Sequence, residues 1–112
     1  MSITKRRPVE APSGRGEVFK DDKAISQVRY SLYVYQDIYV TRTPGGVEEV
    51  PGLMDVSGII TVITGERNLM GVDSLTLHLA DGRVWTFFAK AGDPVSGEYE
   101  CVNASGEGLT SH

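Results

Sequence analysis

From residue 25 to residue 42 the chain changes character with every step. Even positions carry Val28, Tyr30, Leu32, Val34, Ile38 and Val40, interrupted by Ser26 and Gln36. Odd positions carry Gln27, Arg29, Ser31, Tyr33, Tyr35, Asp37 and Tyr39. Successive side chains leave opposite faces of a pleat, so this period of two predicts one long β-strand. Its even face suits a core. Its odd face, polar and rich in tyrosine, suits water, a partner or the far side of a curved sheet. A strand of this length bends around a barrel or crosses two packed sheets.

The flanking segments predict further strands. Residues 16–20 form a short first strand, and Asp21-Asp22-Lys23 turns the chain through a loop of two or three residues. Pro44-Gly45-Gly46 ends the long strand, because proline has no N–H for a ladder and glycine accepts unusual backbone angles. Residues 47–50 then read as a brief edge strand, with a second turn at Pro51-Gly52. Residues 55–64 are apolar on both parities and predict a central strand, with Gly58 as a candidate bulge. The connection that follows includes one helical turn around Arg67 to Met70.

Asp81-Gly82 marks a tight hairpin. A two-residue loop sets Leu79 against Val84, Leu77 against Thr86 and Leu75 against Phe88 on the core face. It sets Ala80 against Arg83, His78 against Trp85 and Thr76 against Phe87 on the other. Gly92-Asp93-Pro94 closes the second arm of that hairpin, and residues 97–103 form a last strand. There is no sustained helical period and no internal repeat. The expectation is an all-β domain: a small antiparallel barrel of six or seven strands with a disordered N-terminal tail, or alternatively a β-sandwich. Its parts are a flexible basic tail over residues 1–15, a single domain over residues 16–104 and a flexible C-terminus over residues 105–112.

At 112 residues the chain is long enough to bury one core. Cys101 is the lone cysteine, which rules out an intramolecular disulfide and a cysteine zinc site and points to a reducing compartment. Residues 1–16 lack the apolar stretch of a signal peptide, and no apolar run approaches the ~20 residues that cross a bilayer. The expected location is the cytoplasm. Charge is uneven: residues 1–29 hold seven Lys/Arg against four Asp/Glu, and the remainder holds four against eleven. An acidic body argues against a dominant phosphate-binding surface, and the Lys5-Arg6-Arg7 run reads as part of a solvated tail.

Candidate chemistry is sparse. His78 can titrate near neutral pH, but its expected neighbour is Trp85 rather than a proton-transfer partner. Cys101 has no local base or cation and reads as a buried, inert thiol. Glu48-Glu49 and Glu98/Glu100 match no metal-ligand loop, so no metal or cofactor is expected. The glycines form neither a P-loop nor a dinucleotide fingerprint. Aromatic residues carry more promise. Tyr33, Tyr35 and Tyr39 share one strand face, and Trp85 shares the outer hairpin face with Phe87, near His78 and Arg83. Such faces anchor protein interfaces, and beside cations such as Arg29 and Arg83 they stack unpaired bases.

Two resemblances bear on function. Arg6-Arg7 with Asp55-Val56-Ser57-Gly58 resembles the paired signature of PilZ domains, small β-barrels that bind cyclic dinucleotides. The spacing departs from that signature at both places: Glu10 and Ala11 stand where a second arginine belongs, and Ile60 where the glycine belongs. More broadly, the stretches beginning at Gly16, Val28 and Leu75 are similar to small hypothetical bacterial all-β proteins of unassigned function. That likeness rests on strands and a turn, and implies a bacterial cytosolic β-domain. The expected function is a non-enzymatic protein-interaction module, possible partners including a second copy of the chain. The alternative is a barrel that binds a small ligand, a cyclic dinucleotide or single-stranded nucleic acid.

Overall fold

In a computed structural model, which describes residues 2–111, every regular element is a β-strand. These are β1 (Ser2–Glu10), β2 (Ser13–Lys20), β3 (Lys23–Thr43), β4 (Gly46–Gly65), β5 (Leu75–His78), β6 (Arg83–Asp93), β7 (Glu98–Asn103) and β8 (Leu109–Ser111). All pairings are antiparallel. Six strands close a hydrogen-bonded ring in the order β3, β2, β5, β6, β7, β4 and back to β3. Among the described residues no helix is long and apolar enough to cross a membrane.

The long alternating segment is the spine of the molecule. Fully extended, the 21 residues of β3 would span about 70 Å. The whole molecule is 57 Å in its longest dimension, so β3 bends. Its first half faces the ring interior with Val28, Tyr30, Leu32 and Val34, all buried. Val18, Val56, Ile60, Val62, Leu75, Leu77, Trp85, Phe87, Tyr99 and Cys101 complete a single core drawn from all six ring strands. Leu69 and Leu79 join that core from the connecting loops.

Buried polar groups are satisfied. Tyr30 Oη accepts the Ala80 N–H at 3.0 Å, and the Tyr99 hydroxyl donates to the Arg67 carbonyl. Trp85 Nε1 donates to Asn103 Oδ1 at 2.8 Å, and Ser26 Oγ donates to the Glu66 carbonyl at 2.5 Å. Burial without such partners would cost about 1–3 kcal/mol per group.

Several sequence expectations are corrected. The basic N-terminus, expected to be a flexible tail, forms β1 along β3, from Ser2 opposite Thr41 to Glu10 opposite Val34. The cause is a vacant strand edge. β2 occupies the same edge of β3 up to Ser31, and beyond that the backbone groups of β3 need another partner. The Leu32 N–H donates to the Pro12 carbonyl at 2.9 Å, carrying the pairing across the break between β1 and β2. The C-terminus, also expected to be flexible, pairs as β8 with Arg83, Val84 and Trp85 of β6.

Pro51-Gly52 is no turn. β4 runs through it beside an irregularity in the pairing at Gln36/Ile38. Gly58 sits in regular register and makes no bulge; a methyl there would fall on the Ser31 carbonyl oxygen and the Leu32 Cα. Residues 67–70 contain no helical turn.

The Asp81-Gly82 hairpin is shifted by one residue from expectation. Leu77 opposes Trp85 and Leu75 opposes Phe87, while the Leu79 N–H donates to the Arg83 carbonyl at 2.9 Å. The loop is therefore Ala80-Asp81-Gly82, with Gly82 at φ 91°, and the Asp81 carboxylate accepts the Arg83 N–H at 2.9 Å. A one-residue slip exchanges the two faces of a strand. It carries Trp85 and Phe87 into the core.

Candidate functional site: a projecting three-stranded arm

The predicted site residues do not converge. Trp85 is fully buried, stacked on Phe87 with ring centroids 5.1 Å apart, and is no surface platform. His78 faces Val84 rather than Trp85 and stacks on Phe19 at 4.2 Å. Arg83 is held by Asp81 and Glu10, whose hydrogen bonds raise its pKa; the same contact with Arg83 holds the Asp81 carboxyl below the usual range. His78 alternates with the buried Leu77, whereas Cys101 points into the core, so the two lie on opposite faces of the wall. Burial pushes the Cys101 thiol up to about 12, which keeps it protonated and unreactive at neutral pH. No group of three or more potential metal-ligating residues occurs among the described residues.

The tyrosines fall along one line. Tyr33 lies opposite Ser57 on the outside of the ring, and Tyr35 lies beneath the Arg6 guanidinium, 5.8 Å from its ring centroid. Tyr39 lies farther out, opposite Thr4 and Val50, with its ring against Gly52. They lead from the ring into a separate feature that the sequence reading missed.

Residues 34–41 of β3 pair with β1 on one side, and residues 34–43 pair with residues 46–56 of β4 on the other. Among the described residues neither β1 nor this half of β4 has another strand beside it: β7 pairs with β4 from Ser57 to Thr61. The result is a three-stranded arm continuing out of the ring, with a free edge on each side. It explains a radius of gyration of 16.3 Å, against about 13 Å for a compact domain of this size. Among the described residues, six of the ten exposed large apolar side chains belong to its strands: Ile3, Val9, Tyr39, Val47, Val50 and Leu53. Val47 and Leu53 are more than 60% exposed.

A polar network ties the arm to the ring. Asn103 accepts from buried Trp85 and donates to the Met54 carbonyl at 3.3 Å and to Asp55 at 3.4 Å. Arg6 of β1 meets Asp55 at 3.1 Å and Asp37 at 3.5 Å. The core is thus linked through one asparagine to all three arm strands.

Elsewhere, Arg15 and Arg29 face each other across β2 and β3 beside a shallow groove that includes Ser13, Ser31 and Thr61. Neither forms an ion pair among the described residues. Like charges directly opposite on a sheet repel.

Comparison with protein-family models, with curated proteins and with solved structures finds no match.

Proposed function

We propose that this chain is a non-enzymatic protein-interaction module: a small β-barrel that holds out a three-stranded arm as its binding surface. The closed order of the six ring strands around one core supports the barrel reading. The observation that carries the function is the concentration of exposed apolar side chains on the arm, between two unpaired strand edges. Concentrations of exposed apolar side chains mark interaction sites, and free edges accept added strands. A single buried, protonated thiol accords with a reducing, cytoplasmic setting.

The test is photo-crosslinking in the source cells. A benzophenone amino acid replaces Val50 on the arm or, as control, Lys20 on the ring. Discrete covalent adducts to protein from position 50, identified by mass spectrometry, with none from position 20, are expected. Adducts from the ring alone, or from neither position, overturn the reading.

A second reading rests on the Arg15–Arg29 pair. Two opposed guanidinium groups without an acid would be relieved by an anion, so the groove suits a phosphate-bearing ligand. Titration with short oligonucleotides and cyclic dinucleotides at low salt tests it. Saturable amide shifts at residues 13–15 and 29–31 that weaken with salt are expected; unchanged spectra dismiss it.

A further inference from the structure

We propose, building on the arm as the interaction surface, that its occupant is a second copy of this chain, joined head to tail: the β1 edge of one copy adds beside the β4 edge of the next. The argument starts from charge. The β1 edge carries Lys5, Arg6 and Arg7; Arg6 is engaged by Asp37 and Asp55, whereas Lys5 and Arg7 form no ion pair among the described residues. The β4 edge carries Glu48 and Glu49, also exposed and without an ion pair among the described residues. Pairing β1 with β1 across a two-fold axis gathers the cations, and pairing β4 with β4 gathers the acids. Both place like charges together. Joining β1 to β4 makes them complementary.

Register sharpens the proposal. β1 and β4 both run antiparallel to β3, so they share a direction, and copies set side by side form a parallel β4–β1 pair. Level across the arm, Ile3 aligns with Val40 and Glu49, and Lys5 with Ile38 and Pro51. A neighbour placed without stagger would set Ile3 against Glu49. A stagger of two residues, about 7 Å, keeps every side chain on its own face and sets Ile3 against Val47 and Lys5 against Glu49 of the next copy. Apolar then meets apolar, and base meets acid.

In this register Pro51 and Pro8 fall at the same end, beyond which neither strand continues an unbroken ladder. Each copy supplies one edge of each kind, so assembly does not stop at two. It closes into a ring or continues as a filament, and a closed ring of tilted strands needs such a stagger.

The test uses cysteine pairs and charge reversal on the full chain. Within one chain Ile3 and Val47 flank β3, two strand spacings (~9.6 Å) apart sideways and two residues (about 7 Å) apart along the strands, too far for a disulfide. Mild oxidation of I3C/V47C is expected to give dimers, trimers and higher species, whereas I3C or V47C alone, with native Cys101 buried, gives dimers at most. Without the introduced cysteines, E48K/E49K and K5E/R7E are each expected to weaken association about tenfold. Mixing the two variants is expected to restore it, since every junction again joins opposite charges. Monomers alone, a ladder that ends at dimers, or variants that associate as well separately as mixed overturn the proposal. If Val50 crosslinks to a different protein while I3C/V47C stays monomeric, self-assembly falls and the interaction-module reading stands. If neither product forms, both fall.

Discussion

β3 and β4 run together through two different environments. In the ring half, Val28, Tyr30, Leu32 and Val34 are all sealed beneath an opposing wall. In the arm half the same alternation continues through Ile38 and Val40, with less cover over it among the described residues. Ile38 stays buried, but Val40 is partly open and Tyr39, Val47 and Val50 are exposed. Alternation reports the pleat of a strand; burial also requires something to pack against. One residue pattern therefore serves as core in one half and as surface in the other.

The largest effect that tests this contrast is a core truncation. Leu32→Ala removes a fully buried side chain and is expected to cost about 2–5 kcal/mol. Val40→Ala on the arm is expected to cost less than about 1 kcal/mol. Urea unfolding midpoints measure both, and equal losses would mean that the arm is packed as tightly as the ring. Glycines sharpen the same comparison. Gly58→Ala drives a methyl into the Ser31 and Leu32 backbone and is expected to cost about 1–3 kcal/mol. Gly45→Ala at the arm tip meets only the Thr43 hydroxyl, at 4.0 Å, and is expected to change stability by less than about 0.5 kcal/mol.

A thiol reports the contrast chemically. The Cys101 pKa is raised by burial from an ordinary 9.0 to about 12, so above pH 9 the unfolded chain loses a proton that the folded chain keeps. Stability is expected to fall as pH rises between those values, by at most about 1.4 kcal/mol per pH unit, and Cys101→Ala should lack that slope. At pH 8 a disulfide reagent should leave folded Cys101 untouched and label V50C on the arm at once. Rapid labelling of Cys101 would show that the ring opens readily.

Much of the ring was legible in the sequence because its signals are local. The alternation of β3, the Asp21-Asp22 turn and the close of β6 at Asp93 follow from the period of two and from turn residues. The arm was hidden because its evidence is distant. Lys5-Arg6-Arg7-Pro8 has no apolar face of its own, and becomes a strand only because β3 offers a vacant edge to it. Charges and a proline are what an exposed edge strand carries, so the composition that suggests a tail also fits an edge. The hairpin error was smaller and had a readable sign. A two-residue loop would have buried Thr86 and exposed Trp85, against the ordinary sorting of those side chains.

The finest test concerns the joint between the two regions. Asn103→Ala leaves the buried Trp85 N–H without its acceptor and frees the Met54 carbonyl, and is expected to cost about 1–2 kcal/mol of whole-domain stability. Arg6→Gln breaks half-exposed ion pairs to Asp37 and Asp55, which in solvent are worth less than about 1 kcal/mol. Its effect should be local: faster amide exchange in residues 3–9 and 46–53, with ring amides unchanged. Asn103 anchors the arm to the core, whereas Arg6 only clasps β1 to its neighbours at the base. Equal acceleration of ring and arm amides in Arg6→Gln would mean that the two regions unfold as one unit, and the arm would then be an extension of the core rather than a surface carried by it.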